Sequence, residues 1–133
     1  SLPRYEMDEL VIARSGLGSV SEIFETHGEE RFRVLEREVL EELMTLPEGI
    51  VSTGGGIVMS AENRSLLRRA PNHVVFLEAP FDTLRERVGS DASRPLFRDP
   101  EQALALLKQR TPLYREIARV TLDTCGKTIT QVV

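Results

Sequence analysis

Three arginines, an aspartate, two glutamates and a run of three glycines are the residues of this chain with chemistry to offer. Arg33 and Glu36 stand three apart in a stretch of helical periodicity, so they share a face. A carboxylate there can hold the guanidinium in place to receive an anion. The same spacing serves an exposed salt bridge worth about 0.2–0.5 kcal/mol. Gly54-Gly55-Gly56 directly follows the β-prone run Ile50-Val51-Ser52-Thr53. Three glycines let backbone approach a ligand closely and present unhindered N–H donors, or they simply make a tight turn. Arg94-Pro95-Leu96 falls in a segment without apolar period; an arginine on a closing loop is one way a phosphoryl-transfer site adds charge late. Arg110 stands just before Pro112 and Tyr114, where an exposed arginine is the plain alternative. Glu6 and Asp8 follow a short strand expected at Leu2 to Tyr5. Acids there can supply a base and a metal contact, or cap the next helix. His27 and His73 are isolated, read as helix-end surface and strand edge, and Cys125 is read as structural.

The elements that must position these residues alternate between helix and strand. A first helix spans Glu9 to Arg14, ended by Gly16 and Gly18. Ser19 followed by Glu22 reads as a capping box for a short helix through Phe24. Phe32, Leu35, Val39, Leu40, Leu43 and Leu46 recur at helical spacing between Glu29 and Thr45, and Pro47 stops that helix. Ser60 to Arg69 is a further helix, Val74 to Leu77 an apolar strand of the kind covered on both faces, and Asp82 to Val88 another helix. Residues 89–100 read as a mobile loop and Glu101 to Gln109 as helix, after which Pro112 either opens a second helix or kinks the same one. Val120 to Thr124 is a last strand, and Thr128 to Val133 begins a last helix. This order predicts a parallel α/β sheet sandwiched by helices, with ligands beyond the carboxyl ends of the strands.

Composition sets the bounds. The chain has 133 residues, 41% of them hydrophobic, which suits a single domain over 1–133. A net charge of −4 argues against nucleic acid held by bulk charge. No apolar run approaches the roughly 20 residues of a membrane span. One cysteine and no signal-peptide shape at Ser1 to Glu6 fit a cytoplasmic protein.

Taken in order, these features resemble the shikimate kinases. The resemblance runs from Tyr5 to about Thr128 and rests on Phe32-Arg33-Val34-Leu35-Glu36, Thr53-Gly54-Gly55-Gly56, Arg94-Pro95-Leu96 and Arg110-Thr111-Pro112-Leu113-Tyr114. Ser21-Glu22-Ile23-Phe24 and Asp123-Thr124 support it. The resemblance implies a P-loop kinase-like fold and ATP-dependent phosphorylation of the 3-hydroxyl of shikimate, with Mg²⁺, by a monomer. It implies that Asp8 binds shikimate hydroxyls and acts as base. Arg33 and Arg110 would clamp the carboxylate, with Glu36 orienting Arg33. The glycine triplet would form a wall, and Phe24 and Phe32 would pack beside the ring. Arg94 would be the lid arginine, and Arg87 and Lys127 would shape the adenine pocket.

Two departures accompany the resemblance. Glu6 and Met7 stand where the family has aspartate and threonine, which leaves Glu6 to organise Mg²⁺ through water. No Gly-x-x-x-x-Gly-Lys-Ser/Thr loop occurs. The family's first strand–loop–helix unit, roughly 30 residues with an interior strand, is therefore expected to lie upstream of Ser1. These residues alone are expected to be inactive. The alternative is a shikimate-kinase-like ligand-sensing domain of a transcriptional regulator that responds to an aromatic acyl-CoA.

Overall fold

The computed structural model describes residues 2–69, 71–88 and 99–132. Strand β1 (Arg4–Glu6) leads straight into helix α1 (Met7–Ser15), which stops at Gly16 with φ of 76°. That left-handed conformation costs glycine no Cβ clash. Helix α2 (Val20–His27) opens on Ser19, whose hydroxyl accepts the Glu22 N–H at 3.1 Å. Glu22 in return accepts the Gly18 N–H at 2.8 Å, so both flanks of the helix start are satisfied. Gly28 turns the chain into α3 (Glu29–Leu43). Strand β2 (Ile50–Ser52) then pairs in parallel with β1, Tyr5 opposite Val51. A 3-10 turn over Gly55–Met59 follows, then α4 (Ala61–Arg68), capped by the Ser60 hydroxyl. Strand β3 (Val75–Glu78), α5 (Phe81–Val88), α6 (Pro100–Ile117), strand β4 (Val120–Asp123) and α7 (Ile129–Val132) complete the order. β4 pairs in parallel with β3, Val75 opposite Val120.

The core lies where α1, α2, α3 and the 3-10 turn meet: Met7, Val11, Ile23, Leu35, Leu40, Ile57 and Val58 are all buried there. Full burial of a leucine such as Leu40 contributes about 1.5–3 kcal/mol. This packing holds α3 against α1, α2 and the 3-10 turn and so fixes the face that bears Arg33 and Glu36.

Helix α6 runs unbroken through Pro112, so the sequence alternative of a second helix is set aside. Proline removes the N–H that the Lys108 carbonyl would accept. The neighbouring Thr111 hydroxyl donates to the Leu107 carbonyl at 2.7 Å, which satisfies one acceptor in the same turn. The helix starts on an Asp99 cap with Pro100 in its first turn, where a missing N–H costs nothing.

All pairing is parallel with helices between paired strands, as an α/β reading requires. Among the described residues the strands form two pairs, β1–β2 and β3–β4, which do not bond to each other. A cleft of about 1390 Å³ lies between β2 and β3. The resemblance expects an additional interior strand in this sheet. The burial expected for the apolar run at Val74 to Leu77 needs correction: Val75 is 50% and Leu77 56% exposed. Their ladder partners Val120 and Leu122 are exposed on the same face, and no described element covers it. Phe76 points to the other face and meets Tyr114.

Candidate active site

The glycine triplet is the hub of the site, because a different side chain presses on each of its members. A Cβ on Gly54 would lie 3.3 Å from Asp8 Oδ1 and 3.6 Å from Glu36 Oε2. One on Gly55 would lie 2.7 Å from the Tyr114 hydroxyl and 3.5 Å from Arg110 Nη1. One on Gly56 would run into the Arg33 guanidinium. Close approach of charged groups to backbone, rather than an unusual φ, is what requires glycine here. The triplet also does more than turn the chain: Gly55 and Gly56 start the 3-10 turn, whose first N–H groups have no partner within it.

Four elements bring these side chains together. Asp8 is in the first turn of α1, immediately after β1. Arg33 and Glu36 lie on one face of α3, and Arg110 and Tyr114 lie one turn apart on α6. Asp8, Arg33, Glu36, Arg110 and the triplet all line the same cleft. At about 1390 Å³ the cleft exceeds the ~300–1,000 Å³ usual for a small-ligand pocket. The excess is the gap between the strand pairs, and the polar cluster occupies one end of it.

Electrostatics inside the cluster are strongly coupled. Glu36 is 1% exposed, and its Oε1 accepts from Arg33 Nη1 at 3.1 Å. Burial pushes the Glu36 carboxyl above the ordinary range, Arg33 pulls it back, and the Asp8 charge adds a smaller upward push. Arg33 spreads over the Phe32 ring at 5.1 Å, a cation–π contact, and Phe32 packs on Phe24 with ring centroids 5.2 Å apart. Arg110 is 7% exposed, and its Nε is buried with no hydrogen-bond partner among the described residues. A buried guanidinium with an unused donor beside a second guanidinium suits a planar carboxylate, which a fork-shaped donor binds bidentately. Asp8 adds an acceptor for hydroxyls, and the phenylalanine pair adds an apolar wall. The arrangement fits a small hydroxylated acid.

Other candidates fall elsewhere. Glu6 ends β1 exposed and outside the cleft lining. Among the described residues no group of three His, Cys, Asp or Glu is arranged to hold a metal. Both terminal nitrogens of Arg87 donate to Thr124 at 2.8 Å, one to its hydroxyl and one to its carbonyl. The Thr124 hydroxyl donates in turn to the Glu78 carbonyl at 3.0 Å. Arg87 therefore ties α5 to the ends of β3 and β4. Lys127 is exposed, and its N–H donates to the same Thr124 carbonyl at 3.1 Å. Arg94 and the loop 89–98 lie outside the described residues. His27 ends α2, and His73 Nδ1 lies 2.7 Å from Arg119 Nη1 just before β3. Cys125 is exposed, and its N–H donates to Asp123 Oδ1 at 2.9 Å.

Three contributors were missed in sequence. Asn63 Nδ2 donates to the Ile57 carbonyl at 3.1 Å, Arg64 Nη1 to Val58 at 2.6 Å, and the Tyr114 hydroxyl to Gly55 at 2.7 Å. Tyr114 was detectable: it stands four after Arg110, on the same helix face.

Gly56→Ala gives a local test of the geometry. The nearest atoms the added methyl would meet all belong to the Arg33 guanidinium, and the end of a flexible side chain yields more easily than backbone. The variant is expected to keep its melting temperature within a few degrees. It should weaken carboxylate binding about tenfold or more, the worth of one charge-assisted hydrogen bond. Unchanged affinity by calorimetry would mean that Arg33 does not touch the ligand.

A model of the shikimate kinase family matches residues 1–133. A shikimate kinase of Streptococcus gordonii is 38% identical over 128 residues, 93% of this chain and 78% of the relative. One from Neisseria gonorrhoeae is 41% identical over 130 residues, 94% of this chain and 75% of the relative. Among solved structures, shikimate kinase from Acinetobacter baumannii in complex with shikimate superposes with a TM-score of 0.85 at 34% identity, covering 91% of this chain and 68% of that one. The Aquifex aeolicus enzyme gives 0.83 at 33% identity over 98% and 76%.

Proposed function

Because the chain belongs to the shikimate kinase family, we propose that it serves to transfer the γ-phosphoryl group of ATP to the 3-hydroxyl of shikimate. The observation that carries the residue assignments is the convergence of Asp8, Arg33 and Arg110 on one glycine triplet at the end of β2. Arg33 and Arg110 bind the carboxylate, and Glu36 holds Arg33 in register. Asp8 accepts hydrogen bonds from the ring hydroxyls. As the hydroxyl oxygen bonds to the γ-phosphorus, its proton passes to the Asp8 carboxylate. The bond from phosphorus to the bridging oxygen breaks, and ADP leaves. Such transfer needs alignment and charge neutralisation more than covalent help.

Mg²⁺, when bound, neutralises phosphate charge. The exposed Glu6 would hold the ion through water rather than as part of a cage. Arg94 would add positive charge at the transferring group. Arg87, engaged with Thr124, would support the segment bearing Lys127 rather than stack on adenine itself. The regulator alternative has no observation in its favour.

The test is a coupled assay of ADP release by the whole protein with ATP, Mg²⁺ and shikimate. ADP release that depends on shikimate, with phosphate recovered on the 3-hydroxyl, is expected. ADP formation indifferent to shikimate would sink the assignment.

A further inference from the structure

Tyr114 touches both strand pairs. Its hydroxyl donates to the Gly55 carbonyl at 2.7 Å, in the segment that follows β2. Its ring lies 4.9 Å from the Phe76 ring in β3, tilted by 37°. It stands one helical turn after Arg110, whose Nη1 lies against the same glycine. Burial pushes the phenol upward in pKa, against a smaller downward pull from Arg110. The hydroxyl therefore stays protonated near neutral pH and remains a donor. Asn63 and Arg64 hold two further carbonyls of the turn, at Ile57 and Val58. With three carbonyls engaged by side chains, the glycine segment has little freedom to rotate, and its leading N–H groups keep one direction.

We propose that Tyr114 is a positioning residue, which fixes the glycine wall through the Gly55 carbonyl and sets the Arg110 guanidinium at the depth where a carboxylate meets it. The inference rests on the reading of this cluster as the shikimate pocket. Tyr114 itself need not touch the substrate. Its task is to hold two groups in register, which matters because a carboxylate gains its full set of charge-assisted hydrogen bonds only where the donors stand in the right place.

Tyr114→Phe keeps the ring on Phe76 and removes the donor. In the whole protein it is expected to raise the shikimate KM and Kd about three- to tenfold, the worth of one neutral hydrogen bond. The ATP KM and kcat should stay within about twofold, since neither depends on that bond. Gly55→Ala should do more harm, because its methyl would sit 2.7 Å from the Tyr114 hydroxyl. Without the hydroxyl the nearest neighbours lie at 3.5 and 3.9 Å, ordinary contact. The double variant should therefore bind shikimate better than Gly55→Ala alone, a reversal that generalised loosening does not produce. Additive losses, or an unchanged shikimate KM in Tyr114→Phe, would overturn the proposal. If the unaltered protein fails to bind shikimate, the pocket reading falls separately. Melting temperatures then decide the tether: a value lowered in Gly55→Ala and restored by Tyr114→Phe supports it, and one not restored rejects it.

Discussion

Arg110→Ala in the whole protein is expected to remove shikimate binding, by on the order of a hundred- to a thousand-fold, with little change in melting temperature. Arg110 is 7% exposed, and its Nε is buried with no partner among the described residues. Such a group has already lost its hydration, so it gains fully from a bound carboxylate. Removing one side of a buried, hydrogen-bonded charge pair costs about 2–5 kcal/mol. The same truncation also removes an unpaired donor from the interior, which offsets the lost packing in the free protein. Affinity and stability should therefore separate. Calorimetry beside a thermal melt reads both, and an affinity equal to that of the unaltered protein would remove Arg110 from the pocket.

Asp8→Asn is expected to lower kcat by about 10²–10⁴, the usual contribution of a positioned general base. The amide keeps the shape and the hydrogen-bonding reach of the carboxylate but cannot take the proton. Asp8 is half-buried in the first turn of α1, where a negative charge meets the positive end of the helix dipole. Losing that interaction costs about 0.3–1 kcal/mol, too little to unfold the domain. Shikimate binding should persist, weakened at most modestly, because the carboxylate clamp is untouched. A steady-state assay that returned normal turnover would transfer the base to another group.

Much of this was legible in the residues, for identifiable reasons. Serine caps before α2 and α4 and glycine stops after α1 and α2 act locally, so Ser19, Ser60, Gly16 and Gly28 announced helix ends with few neighbours involved. Arg33 and Glu36 were joined by spacing on one helix. That Asp8, Arg33 and Arg110 belong to one place needed the ordered motifs, because the packing of α1, α3 and α6 around the glycine segment is not written in any one window. Pro112 was ambiguous because a proline either opens a helix or sits within one, and only the packing of the whole helix decides; here α6 runs through it. The apolar strand at Val75 misled on burial: composition says what a strand can be packed against, not whether a layer is there. Tyr114 was overlooked for a different reason. Its place four after Arg110 shows the shared helix face, but not that its phenol reaches a backbone carbonyl.

The division of the strands into two pairs has a further consequence. On the proposed reading the acid is held by side chains of the β1–β2 half and α6, while Arg87 and Lys127 belong to the half built on β3 and β4. The acceptor and the nucleotide are therefore held largely from different parts of the molecule, with α6 bridging them through Arg110 on the acid and the Tyr114 ring on Phe76. A change that spreads the halves by an ångström would loosen the clamp and lengthen the path the oxygen must cross, so affinity and turnover would fall together.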